Sequence, residues 1–190
     1  MSSPRCAAAV IGCSAGGVKA LQLMLAALHG DLAAAVIVVC HTAGDIRSLC
    51  ELIGHNTTLK VLEARERMRA DPGAIYVAPS DYHLLLEPDL RFALTVDPRV
   101  TYSRPSIDVL FESAAGAYGS ALVGVILTGG NHDGAAGLKR IRDAGGIGIV
   151  QQPDSAEAAS MPRAALALAG ADHCVPLVEI GPLLNSLCMP

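Results

Sequence analysis

Residues 33–40, AAAVIVVC, are apolar without a break, and AAAVIG at 7–12 and ALVGVILTG at 121–129 are nearly so. A strand with no polar alternation has no face to give to water, so both of its sides must be covered. Helical patterns separate these strands. Between the first two, Val18–Leu28 carries apolar residues at 18, 21, 24, 25 and 28, the spacing of one helix face. Shorter strands are predicted at 59–64, 74–79 and 146–150. Further helices are predicted at 45–53 behind an Asp45 cap, at 106–118 with Pro105 near the first turn, and at 135–143. Two more helices fill the chain around Met161-Pro162. Segment 83–96 reads as a hairpin turning at Pro88-Asp89. This alternation predicts an α/β fold: a doubly wound, mostly parallel sheet with helices on both faces and one β-hairpin, a three-layer α/β/α arrangement. With 190 residues and no linker or repeat, residues 1–190 are expected to form a single domain.

Composition excludes several classes. Apolar residues make up 52% of the chain and aromatics 3%, as expected where Ala-rich helices cover Val- and Ile-rich strands. The longest apolar run, Leu32–Cys40, is far below the roughly 18 residues of a membrane span, so no direct membrane insertion is expected. A formal charge of −4 gives no electrostatic case for nucleic acid. The opening MSSPRCAAAVIGC is superficially like an export signal, but its apolar part is shorter than the roughly 7–15 residues of such a signal; it reads as the first strand. The six cysteines, at 6, 13, 40, 50, 174 and 188, contain no CxxC pair and no metal-ligand spacing. They read as small apolar residues in a reducing, cytoplasmic setting, with no metal.

In an open parallel sheet, ligands bind beyond the carboxyl ends of the strands. Ser14 follows the first strand and His41 the strand ending at Cys40. Thr128-Gly-Gly-Asn-His-Asp133-Gly follows the strand ending near Leu127. A hydroxyl, an imidazole and a carboxylate thus emerge on one sheet edge, the three parts of a nucleophile–base–orienter relay. Gly12-Cys13-Ser14-Ala15-Gly16 also fits G-x-S-x-G, whose glycines permit a tight strand-to-helix turn. Backbone N–H groups of Ala15, Gly16 and Gly130 are candidate oxyanion donors. The order Ser, His, Asp differs from the Ser, Asp, His of α/β-hydrolases.

The same glycine turn has a phosphate-cradle reading. The spacing of Gly12, Gly16 and Gly17 is not G-x-G-x-x-G, the following strand closes on Cys40-His41 rather than an acid, and no G-x-x-x-x-G-K-[ST] occurs.

Along nearly its whole length the chain resembles the catalytic domain of the chemotaxis protein-glutamate methylesterases. The matching pieces are IGCSAGG (11–17), VVCHT (38–42), IYVAPSDYHLLL (75–86), SRPSIDVLFESAA (103–115), VGVILTGGNHDGAAGL (123–138) and SMPRAA (160–165). The resemblance implies a serine esterase that hydrolyses glutamate γ-methyl esters on chemoreceptor helices, releases methanol and in many cases deamidates glutamines. Ser14, His41 and Asp133 are then nucleophile, base and orienter; no cofactor or metal is implied, and His132 has no assigned role. The implied partner is a methyl-accepting receptor in the cytoplasm.

Departures from the family pattern accompany the match. Gly130 and Asn131 stand where the family's T-G-M-G-x-D-G has methionine and glycine, which widens the expected pocket. His41-Thr-Ala-Gly-Asp-Ile46 lacks the family's Pro-Pro and Phe, and Cys40 replaces a common glutamine. No receiver domain precedes the first strand, so control is expected from expression or from a separate regulatory protein, unless the chain is an excised domain. The alternative reading is a catalytically weak or inactive member that binds a receptor or partner through the altered loop.

Of the smaller signals, Cys13 adjoins the nucleophile, but period-two geometry sends it to the core if Ser14 faces the cleft. Ser106 reads as a helix cap, Arg104 as a candidate substrate-docking cation, and Glu63–Arg69 as a solvated loop. Met161-Pro162-Arg163 matches the family without a derivable chemistry.

Overall fold

The computed structural model describes residues 6–42 and 44–188. The strands of its main sheet are β1 (Ala8–Cys13), β2 (Ala35–Cys40), β3 (Lys60–Glu63), β4 (Ala74–Val77), β7 (Leu122–Ile126), β8 (Ile147–Gln151) and β9 (His173–Val175). They lie in the order β3-β4-β2-β1-β7-β8-β9, and every neighbouring pair is parallel. A separate antiparallel hairpin joins β5 (His83–Leu86) to β6 (Phe92–Thr95). The helices are α1 (Gly17–Ala26), α2 (Ile46–Gly54), α3 (Ile107–Tyr118), α4 (Ala135–Asp143), α5 (Ser160–Leu168) and α6 (Leu177–Cys188).

The alternation of side chains along β1 and β2 divides the interior in two. Ala9, Ile11 and Cys13 of β1 and Val36, Val38 and Cys40 of β2 pack with Leu21, Met24 and Leu25 of α1, Leu49 and Ile53 of α2, and Ile180 and Leu184 of α6. Ala8 and Val10 of β1, with Ile37 and Val39 of β2, face Ile107, Leu110 and Phe111 of α3, Leu138 and Ile141 of α4, and Leu84 and Phe92 of the hairpin. Both strands are fully buried, as their unbroken apolar runs require. The expected three-layer doubly wound fold with one hairpin is therefore the one found.

Two expectations need correction. The sequence analysis places only helices beyond residue 151, whereas β9 adds a seventh strand at the sheet edge. It is three residues long and only partly buried, so it carries too little apolar pattern to be read. Cys6 and Cys188, moreover, are joined in a disulfide with a Cα–Cα distance of 4.6 Å. They lie 182 residues apart, and no local spacing rule can pair them. These two are therefore not free thiols, in contrast to the reading of the cysteines as small apolar residues, while Cys13, Cys40, Cys50 and Cys174 are free. Among the described residues no helix is long and apolar enough to cross a membrane, and no cluster of three potential metal ligands occurs.

The chain runs outward from β1 to β2 and later returns to pair β7 on β1's other side. β1 thus sits where the order of the sheet reverses, and the crevice for a ligand opens at its carboxyl end.

Candidate active site

Parallel register sets the site. Cys13 of β1 is paired with Cys40 of β2, and the ladder continues as His41 N–H donates to Cys13 O at 3.0 Å. Ser14 and His41 therefore leave neighbouring strands, about 4.8 Å apart, at the same level. Because Cys13 and Cys40 face the α1 side, the next residue in each strand turns to the α3 side. On β1's other flank, Ser14 N–H donates to Thr128 O at 2.9 Å, which ties in the segment that carries Asp133.

Asp133 is fully buried, and all its oxygens are engaged. Oδ1 accepts from Ser106 Oγ at 2.9 Å and from Asp108 N–H at 3.0 Å, and Oδ2 accepts from Ile107 N–H at 2.7 Å. These donors form the start of α3, where backbone N–H groups lack helical partners. His41 Nε2 lies 3.0 Å from Asp133 Oδ2. The pair is within hydrogen-bond distance, but its geometry falls short of a directed hydrogen bond. Burial pushes the Asp133 carboxyl up, but the His41 ring, the two backbone N–H groups and Ser106 outweigh it, and the pKa is held below the ordinary value. The carboxylate stays charged and fixed.

With Nε2 turned to Asp133, Nδ1 is the ring atom left to accept a proton. It lies 3.4 Å from Ser103 Oγ. Ser14 is half-buried, and among the described residues its hydroxyl has no hydrogen-bond partner. Hydrogen bonds of this kind are commonly loose before substrate binds.

The turn after Ser14 is built for close approach. At Gly12 a Cβ would lie 2.4 Å from Ile107 Cγ2, so only glycine lets α3 pack beneath the turn. Gly16 caps α1 at φ +75°, a left-handed conformation that glycine adopts without strain. Among the described residues the N–H groups of Ala15, Gly16 and Gly130 have no acceptor, which leaves all three available. Thr128, buried, holds the turn from the side: its hydroxyl donates to Ala15 O at 2.9 Å and accepts from Ala158 N–H at 2.8 Å. At Gly130 a Cβ would meet nothing within 4 Å, so nothing fills the place of the family's methionine.

Two cavities open near the strand ends, one beside His41 and one beside Gly16. One, of about 290 Å³, is lined by His41, Ser80, Asp81, Tyr102, Ser103 and Arg104 among others. The other, of about 420 Å³, lies over Gly16, Thr128 and Glu157.

Other sequence signals find their places. Cys13 and Cys40 are buried on the core side, as alternation requires. The neighbouring Cys40 thiol and burial raise the Cys13 pKa well above normal, in keeping with a packed core thiol rather than a nucleophile. Ser106 is the cap of α3 and also a partner of Asp133. Arg104 lines the cavity beside His41, and its Nη1 donates to Val96 O at 2.8 Å and Asp97 O at 3.1 Å. Arg67, in the charged run, pairs with Glu87 and Asp89 at the hairpin turn. Met161 lies buried against Gly129, and its N–H donates to Gly129 O at 2.9 Å. Sequence reasoning passed over Ser103, Thr128 and His83. The buried His83 accepts Ser106 N–H at Nδ1 (3.2 Å), and its Nε2 lies 3.1 Å from Pro98 O. Only the recurrence of hydroxyls and imidazoles in the matching segments marks these positions.

Comparison with known proteins follows the same geometry. The family model described as CheB methylesterase matches residues 9–184. A Leptospira interrogans relative, which carries the name protein-glutamate methylesterase/protein-glutamine glutaminase provisionally, is 42% identical over 181 residues, 95% of this chain and 94% of its own. Protein-glutamate methylesterase FrzG of Myxococcus xanthus is 38% identical across 92% of this chain. A Geobacter metallireducens protein-glutamate methylesterase/protein-glutamine glutaminase is 40% identical across 100% of it. The chain spans about half the length of these last two, 52% and 55%. The crystal structure of the Thermotoga maritima CheB methylesterase catalytic domain superimposes with a TM-score of 0.92 at 29% identity, covering 98% of this chain and 100% of that one. In sequence and in fold, this chain belongs to the CheB methylesterase family.

Proposed function

We propose that this chain is a serine esterase that hydrolyses glutamate γ-methyl esters on chemoreceptor-type proteins and can deamidate glutamines at the same centre. The observation that carries the reading is Asp133: a buried carboxylate, fixed by Ser106 and two backbone N–H groups, set against His41 at the strand end beside Ser14.

Asp133 holds the Nε2–H tautomer and stabilises the imidazolium once it forms. Nδ1 takes the proton from Ser14 Oγ as the oxygen attacks the ester carbonyl. The developing oxyanion is met by N–H groups at the start of α1, from Ala15 and Gly16, with Gly130 opposite; each such donor is worth roughly 10²–10³ in rate. Collapse of the intermediate breaks the C–O bond, and the imidazolium returns its proton to the departing methoxide, which leaves as methanol. Water then attacks the Ser14 ester with His41 again as base, and glutamate is released. A glutamine side chain follows the same course with ammonia as leaving group. No cofactor or metal enters these steps.

Its substrate is the helical methylated region of a receptor, and its place is the cytoplasm beside that region. A second reading, a weak or inactive receptor-binding member, is favoured by a Ser14 hydroxyl that has no hydrogen-bond partner among the described residues and by the altered Gly130-Asn131 loop. A fluorophosphonate separates the two: the esterase is labelled at Ser14 and at no cysteine. An intact protein that binds receptors but takes no label is the binding module.

A further inference from the structure

Two helices begin side by side behind the site. At Gly137 a Cβ would lie 2.5 Å from Phe111 Cβ and 3.1 Å from Asp108 Cα, so the first turns of α3 and α4 are in direct contact. The cap of α4 is Gly134, which has no side chain to satisfy the free N–H groups behind it. The acceptor comes from α3 instead. Asp108 Oδ1 accepts from Gly134 N–H at 3.0 Å and from Gly137 N–H at 2.7 Å. In return Asp133, one residue before that glycine, accepts from Ile107 and Asp108 N–H. Asp133 caps the helix that carries Asp108, and Asp108 caps the helix that follows Asp133.

We propose that Asp108 is a positioning residue for the esterase reaction, fixing through Gly134 and Gly137 the loop from which Asp133 reaches His41; this rests on the reading of Ser14, His41 and Asp133 as the catalytic triad. Asp108 touches none of the three side chains' reacting atoms. Its own N–H and its Oδ1 clamp Asp133 from two directions, and a shift at Gly134 displaces the carboxylate directly. The arrangement is costly, which argues against mere packing. Burial, with the charge of Asp133 beside it, pushes the Asp108 carboxyl up to about 6. A neutral residue would avoid that cost but would have to offer an acceptor at the same point.

Because both bonds fall on Oδ1, an amide can replace them and a longer acid cannot. Asp108→Asn should retain the geometry, Asp108→Ala removes the acceptor, and Asp108→Glu moves it by one methylene. The test measures kcat and KM for methanol release, the rate constant for Ser14 fluorophosphonate labelling, and amide exchange at Ile107 in the full chain. Misplacement of the order of 1 Å costs roughly 100-fold. Asp108→Ala and Asp108→Glu should lower kcat and labelling rate about 10- to 100-fold with KM within about twofold, while total labelled Ser14 stays complete. Ile107 exchange should accelerate in both. Asp108→Asn should return all three to within about threefold of the parent. Unchanged kcat and labelling rate in Asp108→Glu, or an Asp108→Asn as slow as Asp108→Ala, overturns the proposal. If the parent labels at Ser14 without releasing methanol, the substrate reading fails while labelling and exchange still decide the role of Asp108. If Ile107 exchange is unmoved in Asp108→Glu, the clamp on Asp133 is disproved whatever the activity.

Discussion

In the proposed mechanism Asp133 serves structure and catalysis with one side chain. The carboxylate lies against His41 and caps α3, so substitution is expected to cost both rate and stability. In Asp133→Asn one carboxylate oxygen is replaced by an amide NH2, and at either position it faces an N–H donor. The wrong imidazole tautomer is then favoured, for which a loss of about 10⁴ in kcat is expected. The clash with the α3 N–H groups should cost a further 1–3 kcal/mol or so in urea denaturation. A variant with undiminished kcat would remove Asp133 from the triad. The pH dependence of stability has two opposed parts. The Asp133 pKa is lowered, so its contribution is present above the ordinary carboxyl range and lost as pH falls through the folded value. Asp108, raised to about 6, acts the other way: its folded form holds the proton more tightly, so stability falls as pH rises from about 4 to about 6. Asp108→Asn escapes that fall. Its Tm should gain on the parent's between those pH values and keep the gain above them; a constant difference from pH 4 to 7 would contradict this.

At the scale of elements, the strands were legible because burial on both faces leaves an unbroken apolar run. Helix α4 was recovered at its exact bounds, residues 135–143, and the hairpin within its expected span. The miss at β9 has the opposite cause, a three-residue edge strand with little apolar surface. The triad candidates were legible because each stands just after a strand and the sheet is parallel. Ser106, His83 and Asp108 were not legible as supports, because their roles come from α3 meeting α4 and the hairpin, contacts between residues 23 to 29 positions apart. The glycine of G-x-S-x-G is explained at this scale too. In Gly12→Ala the new methyl meets the buried Ile107 side chain, and overpacking should cost about 1–3 kcal/mol in urea denaturation. A neutral effect would mean that α3 can withdraw from the turn, which the Asp133 clamp opposes.

For the molecule as a whole, the decisive property is the reversal of strand order at β1. It brings β2 and β7 to either side of one strand end, and with them an imidazole from residue 41 and a carboxylate from residue 133. Alternation alone predicts such a sheet but not which strands neighbour β1; the register of Cys13 with Cys40 and of Gly12 with Ile126 settles that. The Cys6–Cys188 bond, joining the start of β1 to the end of α6, was outside the reach of any local pattern. The central claim concerns chemistry, and methanol release from methylated receptors measures it most directly. The parent protein should liberate methanol, and Ser14→Ala, folded as judged by an unchanged Tm, should release at least about 10³-fold less. Equal release from the two, or none from a parent protein that binds the receptor, would contradict it.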